Sequence, residues 1–210
     1  MNKWLKLSLQ IVLLVVVLVL AWMLFRQIMT PIQFNKAVAS RQAAVIERII
    51  DIRSAEQAFK QKNQRYVGDF DSLINFVLTD SLEFERQTGS ADDSVAVAKG
   101  LVKTEKFKRA VMDTVFAPRK LTVEQIRDLR FVPHAPEGTE YILNAGLLTT
   151  ESKVVVPVFE AKAPFKMFLS DLDHQMLVNL IDETENAFNK YPGIQVGSIE
   201  RATNDAGNWE

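Results

Sequence analysis

An almost unbroken apolar run near the N-terminus constrains this chain more than any other feature of its sequence. Residues 7–25 read LSLQIVLLVVVLVLAWMLF, with one serine and one glutamine as the only polar residues. A helix over this run is about 28 Å long, close to the thickness of the hydrocarbon core of a bilayer. Trp4 and Trp22 lie near its two ends, where amphipathic rings favour the headgroup region. We therefore expect a single transmembrane helix over residues 7–25, preceded by a short N-terminal flank, residues 1–6.

A cleaved signal peptide is the alternative interpretation, because the N-terminal flank is basic. However, the apolar run is longer than the usual core of a signal peptide, and residues 25–28 (FRQI) offer no small side chain for cleavage. These two features favour a membrane anchor.

The basic residues on either side of the run give a nearly balanced orientation signal. Lys3 and Lys6 precede it, and Arg26, Lys36 and Arg41 follow it. A short N-terminal flank stays readily in the cytoplasm, and long C-terminal domains are translocated largely regardless of charge. We expect a single-pass protein of the inner (cytoplasmic) membrane with its soluble domain outside the cytoplasm.

Composition narrows the possible partners and chemistry. The chain has 25 basic and 26 acidic residues, a net charge of -1, so no charge excess favours nucleic acid and we expect none as a partner. The lipid bilayer is the partner that the apolar run implies. It has no cysteine, which excludes disulfides, thiolate catalysis and cysteine-ligated metal sites.

Residues 26–62, which we call the stalk, follow the apolar run and favour a juxtamembrane amphipathic helix. Pro31 is expected to kink or restart this helix, and residues 33–62 contain neither glycine nor proline. Apolar residues recur there every seven residues on one face of the helix, and one further apolar residue, Ile49, lies on the same face. This helix-packing stripe consists of Val38, Val45, Ile49, Ile52 and Phe59.

Two interpretations of the stripe remain open. It packs against the protein's own domain, which the short length of the repeat favours, or it forms a seam with copies of itself or related membrane proteins of an assembly. If the domain covers only its own helix, we expect burial from about Ile49 onward and bare side chains at Val38 and Val45. Any such bare apolar residues would require a neighbouring helix.

Three charged residues lie on or beside the stripe. Arg41 and Arg48 are one heptad apart, and Glu56 falls within the apolar sector. They point to solvent or pair locally, as Glu56 does with Lys60 in one interpretation, or they set the register between packed helices.

Residues 63–200 predict one soluble α+β domain with a small, mostly antiparallel sheet. Residues 141–161 predict a hairpin, in which Pro157 indicates that the second strand is bulged or at an edge. Residues 172–189 predict a C-terminal amphipathic helix, and the tail, residues 201–210, is expected to be frayed.

Several shorter elements have local signals. Asp69 or Asp71 can cap a helix over residues 72–78, and Thr122 with Gln125 resembles a capping box. Residues 81–86 alternate as a strand does. Residues 95–120 are ambiguous: residues 96–112 can form a helix, and Val111, Thr114 and Phe116 suggest a strand after it.

No residue pattern forms a catalytic or cofactor-binding signature. His134 and His174 are the only histidines, and Asp171 and Asp173 are interpreted as capping and first-turn charges. The acidic pair at residues 92–93 is a weak candidate for calcium, without the spacing of an EF-hand. We predict no catalytic site, no cofactor and no metal, and hence a protein that is not an enzyme.

The order of these segments resembles that of type IV pilins and the pseudopilins of type II secretion. The local match is IRSAEQAF at residues 52–59, followed by Asn63, Tyr66 and DSL at residues 71–73. It is similar to the end of the pilin stalk, where an alanine-rich helix leads to an aromatic, an Asn-Gly and a tyrosine. The prepilin leader Gly-Phe-Thr-Leu, with its following glutamate, has no counterpart, and Gln64 stands where the family has glycine.

The resemblance implies a pilin-like fold and a role in assembly. The leading hypothesis is a non-catalytic component of an envelope or secretion assembly that acts through helix packing. The second is a membrane-tethered extracytoplasmic binding domain that acts as an isolated subunit, and the third is a tethered enzyme.

Overall fold

The computed structural model describes residues 3–88 and 103–210 and has an α+β fold. Its first element is one helix, α1 (Lys3–Asn63), 61 residues long, which runs through Pro31 without interruption. The expected restart at this proline is therefore not observed. At 1.5 Å per residue, α1 is about 90 Å long.

The first half of α1 is bare and apolar. Its most apolar 18-residue window has a mean hydropathy of 2.8 and no buried residue, so this helix is long and apolar enough to cross a membrane. Large apolar side chains such as Leu13 and Leu18 are more than 60 % exposed. Such a surface is unfavourable in water, which makes the helix compatible with a single-pass membrane or signal-anchor protein.

A short helix and a two-stranded ribbon follow α1. They are α2 (Phe70–Thr79), β1 (Ser81–Thr88) and β2 (Lys103–Ala110), and β1 pairs antiparallel with β2. Asp69 caps α2 as predicted, accepting a hydrogen bond from the Ser72 backbone N–H at 2.8 Å. The predicted strand at residues 81–86 is confirmed within β1.

Next come α3 (Val111–Val115) and α4 (Val123–Arg127), the latter extended by a 3-10 turn (Asp128–Arg130). The predicted capping box of Thr122 and Gln125 is present at the start of α4. Residues 103–110 are a strand and residues 111–115 a helix, so both interpretations of residues 95–120 were wrong where the structure describes them. Five of the eight residues of β2 are charged, at positions 103, 105, 106, 108 and 109, so this strand lacks the apolar–polar alternation that predicts a half-buried strand.

The main sheet has three antiparallel strands in the order β3-β4-β5. These are β3 (Ile142–Thr149), β4 (Val155–Pro164) and β5 (Gly193–Gly197), and β3 with β4 is the predicted hairpin. Between β4 and β5 lie the short helix α5 (Phe165–Phe168), α6 (His174–Asp182) and a π-helical turn (Glu183–Ala187). The helix predicted over residues 172–189 is therefore shorter, and Asp173 caps it through the Met176 N–H.

The core lies between the second half of α1, the main sheet and the small helices. Ile49 and Ile52 of α1 are fully buried together with Phe159 of β4, Phe168 of α5 and Leu73 of α2. Removing each such side chain from water contributes about 1.5–3 kcal/mol. The stalk is thus an integral part of the domain core.

The C-terminal tail differs from the expectation that it is frayed. Gly207 forms a bridge with Val196, and Asn208 bonds β5 through its backbone N–H to Gln195 O, at 2.9 Å, and its Nδ2 to Gly193 O, at 2.8 Å. The tail thus covers one edge of β5 through polar contacts, and its Trp209 also packs against the core.

Pro157 lies where β4 has an open edge. The backbone carbonyl of Gln195 in β5 points to the C-terminal tail. The backbone groups of its neighbours Ile194 and Val196 therefore point to β4, where these residues lie opposite Ala163 and Ala161. The backbone N–H and C=O groups of successive residues point to alternate sides of a strand. The backbone nitrogen of Pro157 therefore points to the same side as that of Ala161. β5 ends at Gly197, opposite Glu160, so no β5 residue lies beside Pro157 and its missing N–H costs no ladder hydrogen bond. β4 is the central strand of the sheet and its register with β3 continues through Pro157, so the predicted bulge or edge strand is not observed. Only the part of β4 around Pro157 has an open side.

This geometry predicts a large loss of stability from a substitution at one position and almost no change from a substitution at the next. Val156 is paired with Leu148 of β3 and donates on that side. Val156→Pro should lower the free energy of unfolding by about 2 kcal/mol or more, because it leaves a carbonyl of β3 unpaired. Pro157→Val should change it by about 0.5 kcal/mol or less. Denaturant unfolding of the detergent-solubilised chain measures both, and equal losses would contradict the assigned edge.

Candidate functional site: the stalk helix

The predicted helix-packing stripe faces the protein's own domain. Val45, Ile49 and Ile52 are fully buried, Val38 is 8 % exposed, and Phe59 is half-buried with its ring edge-on to Phe76 at 5.0 Å. The expectation that Val38 and Val45 are bare was therefore wrong. Chain segments far away in sequence cover this end of the stalk, and a helical wheel carries no information about them.

Arg41 binds the domain to the end of the stalk that is nearer the apolar run. Its guanidinium donates to Phe168 O at 2.8 Å and binds the Asp171 carboxylate through both terminal nitrogens. This bond holds the pKa of Asp171 below its usual range. Asp171 was predicted to be a capping or first-turn charge of the following helix. In the structure that carboxylate is a partner of the stalk.

Arg48 makes a second attachment two turns further along. Its Nη1 donates to the backbone carbonyls of Asp128, at 3.0 Å, and Phe131, at 2.9 Å. Asp128 begins the 3-10 turn after α4, and its carbonyl also accepts a hydrogen bond from the Phe131 backbone N–H, so Arg48 is a second donor to it. Arg41 and Arg48, proposed from sequence as register candidates, thus both bind groups within their own subunit.

Glu56 is the third register candidate and is fully buried. Its Oε2 accepts a hydrogen bond from the Val67 backbone N–H at 3.0 Å, and its Oε1 has no partner in the part of the chain that the structure describes. Burial raises the pKa of Glu56 to about 8. The expected pair with Lys60 is absent, since Lys60 donates to the Tyr66 hydroxyl at 3.1 Å instead.

A charged cluster that the sequence did not reveal lies on the side of the stalk away from the stripe. Arg119 bridges Glu47 and Asp51, with nitrogen–oxygen distances of 2.6 Å to each carboxylate. Asp51 is 6 % exposed, and burial raises its pKa despite the nearby guanidinium. Glu47 and Asp51 are four residues apart and therefore lie on the same face of the helix. In the sequence, this pair of carboxylates was the feature that could have indicated a bound cationic side chain.

Of the two histidines, His134 lies near enough to Asp171 that, beside the Arg41 hydrogen bond, its charge contributes to the lowered pKa of that carboxyl. His134 and His174 are both exposed. Within residues 3–88 and 103–210, no three His, Asp or Glu side chains come together as metal ligands do. The acidic pair at residues 92–93, named as a weak calcium candidate, lies outside the described residues.

A second apolar stripe occupies the exposed face of the stalk. Its members fall within about 60° of one another on a helical wheel, on the side away from the buried stripe. This exposed stripe consists of Ile28, Ile32, Ala39, Ala43 and Ile50. Ile28 and Ile32 are 63 % and 54 % exposed, and Ile50 is 36 % exposed. On the N-terminal side of Ile28, the exposed stripe continues into the exposed apolar first half of α1.

Comparison of the chain with protein-family models, with curated proteins and with solved structures found no match.

Glu56 should make stability depend on pH in a defined direction. Its pKa is raised from 4.5 to about 8 on folding, so its stabilising contribution is complete below about pH 4.5 and is lost as the pH rises to about 8. Glu56→Gln stays neutral, so the stability of wild type relative to this variant should fall by a few kcal/mol, in order of magnitude, between pH 5 and pH 8.

Denaturant unfolding at a series of pH values measures this difference. Glu137→Gln, at an exposed carboxyl, is the matched control and should keep the slope of the wild type. A wild type and a Glu56→Gln variant with parallel pH profiles would contradict the assignment.

Proposed function

We propose that this chain is a non-catalytic, single-pass membrane protein, a pilin-like component of an envelope or secretion assembly. The observation that carries the proposal is α1 itself. Its first half is bare and apolar, and its second half is part of the domain core. One continuous helix therefore joins an anchor to a folded domain without a flexible linker.

The contacts of the stalk support a structural role for its charges. Arg41, Arg48 and Arg119 each bind carboxylates or carbonyls that hold the domain against α1. Buried or half-buried ions in such positions specify geometry more than they add stability. We therefore assign these residues to mounting the domain on the helix rather than to chemistry.

The domain, in this proposal, lies outside the cytoplasm, with the short N-terminal flank inside. Residues 7–25 span the inner membrane as a signal anchor. The single-pass arrangement, the long domain and the short basic flank are the features that favour this orientation.

Cysteine labelling tests the orientation, since the chain has no native cysteine. Glu200→Cys, at an exposed position, should react with an impermeant maleimide in cells whose outer barrier has been opened. Asn2→Cys should react only after the inner membrane is permeabilised. The reverse pattern would exclude an extracytoplasmic domain.

Assembly would use the exposed stripe, because the buried stripe is already satisfied within the subunit. Anchored side by side in one bilayer, stalks of neighbouring copies are parallel, and Ile28, Ile32 and Ile50 can remove one another from water. Ala39 and Ala43, between them, are small enough for helices to approach closely.

Disulfide crosslinking in membranes distinguishes an assembly from an isolated subunit. Ile32→Cys and Ala43→Cys should give linked dimers under mild oxidant, whereas the buried Val38→Cys and Val45→Cys should give few or none. Gln33→Cys and Ser40→Cys are controls at exposed positions outside the stripe.

Equal crosslinking at all exposed positions would indicate random encounters in the bilayer. If none of the positions gives crosslinks, the result would favour the second candidate, a tethered binding domain that acts alone. That candidate has its own supporting observation, since the fully buried Val45 and Ile49 need no partner chain to be removed from water.

A further inference from the structure

A groove lies where the bare half of α1 meets the underside of the domain. One wall is α1 between Trp22 and Pro31, and the other is Met176 of α6. The groove has a volume of about 510 Å³, and Trp22, Met23 and Met176 give it a largely apolar lining. Its polar groups belong to residues just past the apolar run.

The position of the groove follows from the geometry of α1. Residues 22–31 cover about 13 Å along the helix axis, beginning at the end of the apolar run. In a membrane-anchored chain this is the depth of the headgroups and the first acyl carbons. The groove is therefore continuous with the lipid-facing surface of the anchor.

Arg26 supplies the charge at this depth. Its guanidinium lies over the Trp22 ring, with Cζ 5.5 Å from the ring centroid. No carboxylate in the described part of the chain lies within ion-pair distance of Arg26, in contrast to Arg41, Arg53 and Arg119. Stacking on the ring leaves its N–H groups available to an external acceptor, and a planar guanidinium binds phosphate well.

The wall opposite α1 is fixed in place. Asp173 caps α6 through the Met176 N–H at 3.0 Å, and Asp171, two residues earlier, is bound by Arg41. Met176 is therefore held above Met23 and Gln27 by the same contacts that mount the domain on the stalk. The groove is built from two sides, unlike the surface of an isolated transmembrane helix.

We propose that this groove binds one anionic phospholipid of the surrounding bilayer. The phosphate lies at Arg26, and one acyl chain runs along Trp22 and Met23 beneath Met176. Arg26 gives the preference for an anionic headgroup, and Met176 supplies the second wall. The inference rests on the membrane anchoring proposed above.

Quenching of Trp22 by brominated lipids tests the proposal in the full chain. Trp4→Phe and Trp209→Phe leave Trp22 as the only reporter. In vesicles that mix phosphatidylglycerol and phosphatidylcholine, the quenching of Trp22 should indicate an affinity about fivefold higher for brominated phosphatidylglycerol than for brominated phosphatidylcholine. This ratio corresponds to about 1 kcal/mol, the contribution of one cation.

Two variants should remove this preference, and two should keep it. Arg26→Gln removes the phosphate partner, and Met176→Ala removes the second wall. Lys36→Gln changes a cation above the groove, and Val178→Ala shortens an exposed apolar side chain of the same helix. A preference that survives Met176→Ala, or that Lys36→Gln also removes, would mean general surface attraction and would overturn the groove.

A second reporter separates this inference from the anchoring itself. Val16→Trp, with the three native tryptophans replaced by phenylalanine, places the reporter in the middle of the apolar run. Both brominated lipids should quench it equally. An unquenched Val16→Trp would refute the anchor, whereas a quenched one with no lipid preference at Trp22 would refute only the groove.

Discussion

Burial of one face of the stalk helix is the constraint on which the rest of the structure depends. Val45, Ile49 and Ile52 are fully inside the core, and the main sheet and the small helices are arranged around them. The domain cannot leave the stalk without exposing this surface, at about 1.5–3 kcal/mol for each branched side chain. Because the same helix continues into the exposed apolar run, the core and that run belong to one continuous element.

Local signals in the sequence predicted much of the fold. Asp69, Thr122 and Gln125 cap the helices that follow them, because a cap depends on residues three positions apart. The β3–β4 hairpin follows from two β-rich runs separated by a short turn. Each of these features depends on residues that are close in sequence, the range over which pattern and propensity act.

Long-range contacts were the part that the sequence could not supply. Arg41 meets Asp171 across 130 positions, and Arg119 meets Asp51 across 68, so neither pair has a spacing that a motif could encode. The strand β2 was ambiguous for a related reason, since its lysines are neutralised by Glu83 and Glu85 of the neighbouring strand. Polar pairing of this kind is visible only once the fold has brought the partners together.

The continuity of α1 through Pro31 fixes the phase between the two halves of the molecule. Each residue of a helix turns the chain by about 100° and advances it by 1.5 Å, so every side of the apolar run corresponds to one side of the domain. One residue inserted between Arg26 and Gln33 would turn the domain by about 100° around the helix axis relative to the apolar run. Four inserted residues would nearly restore the original bearing, with the domain raised by about 6 Å.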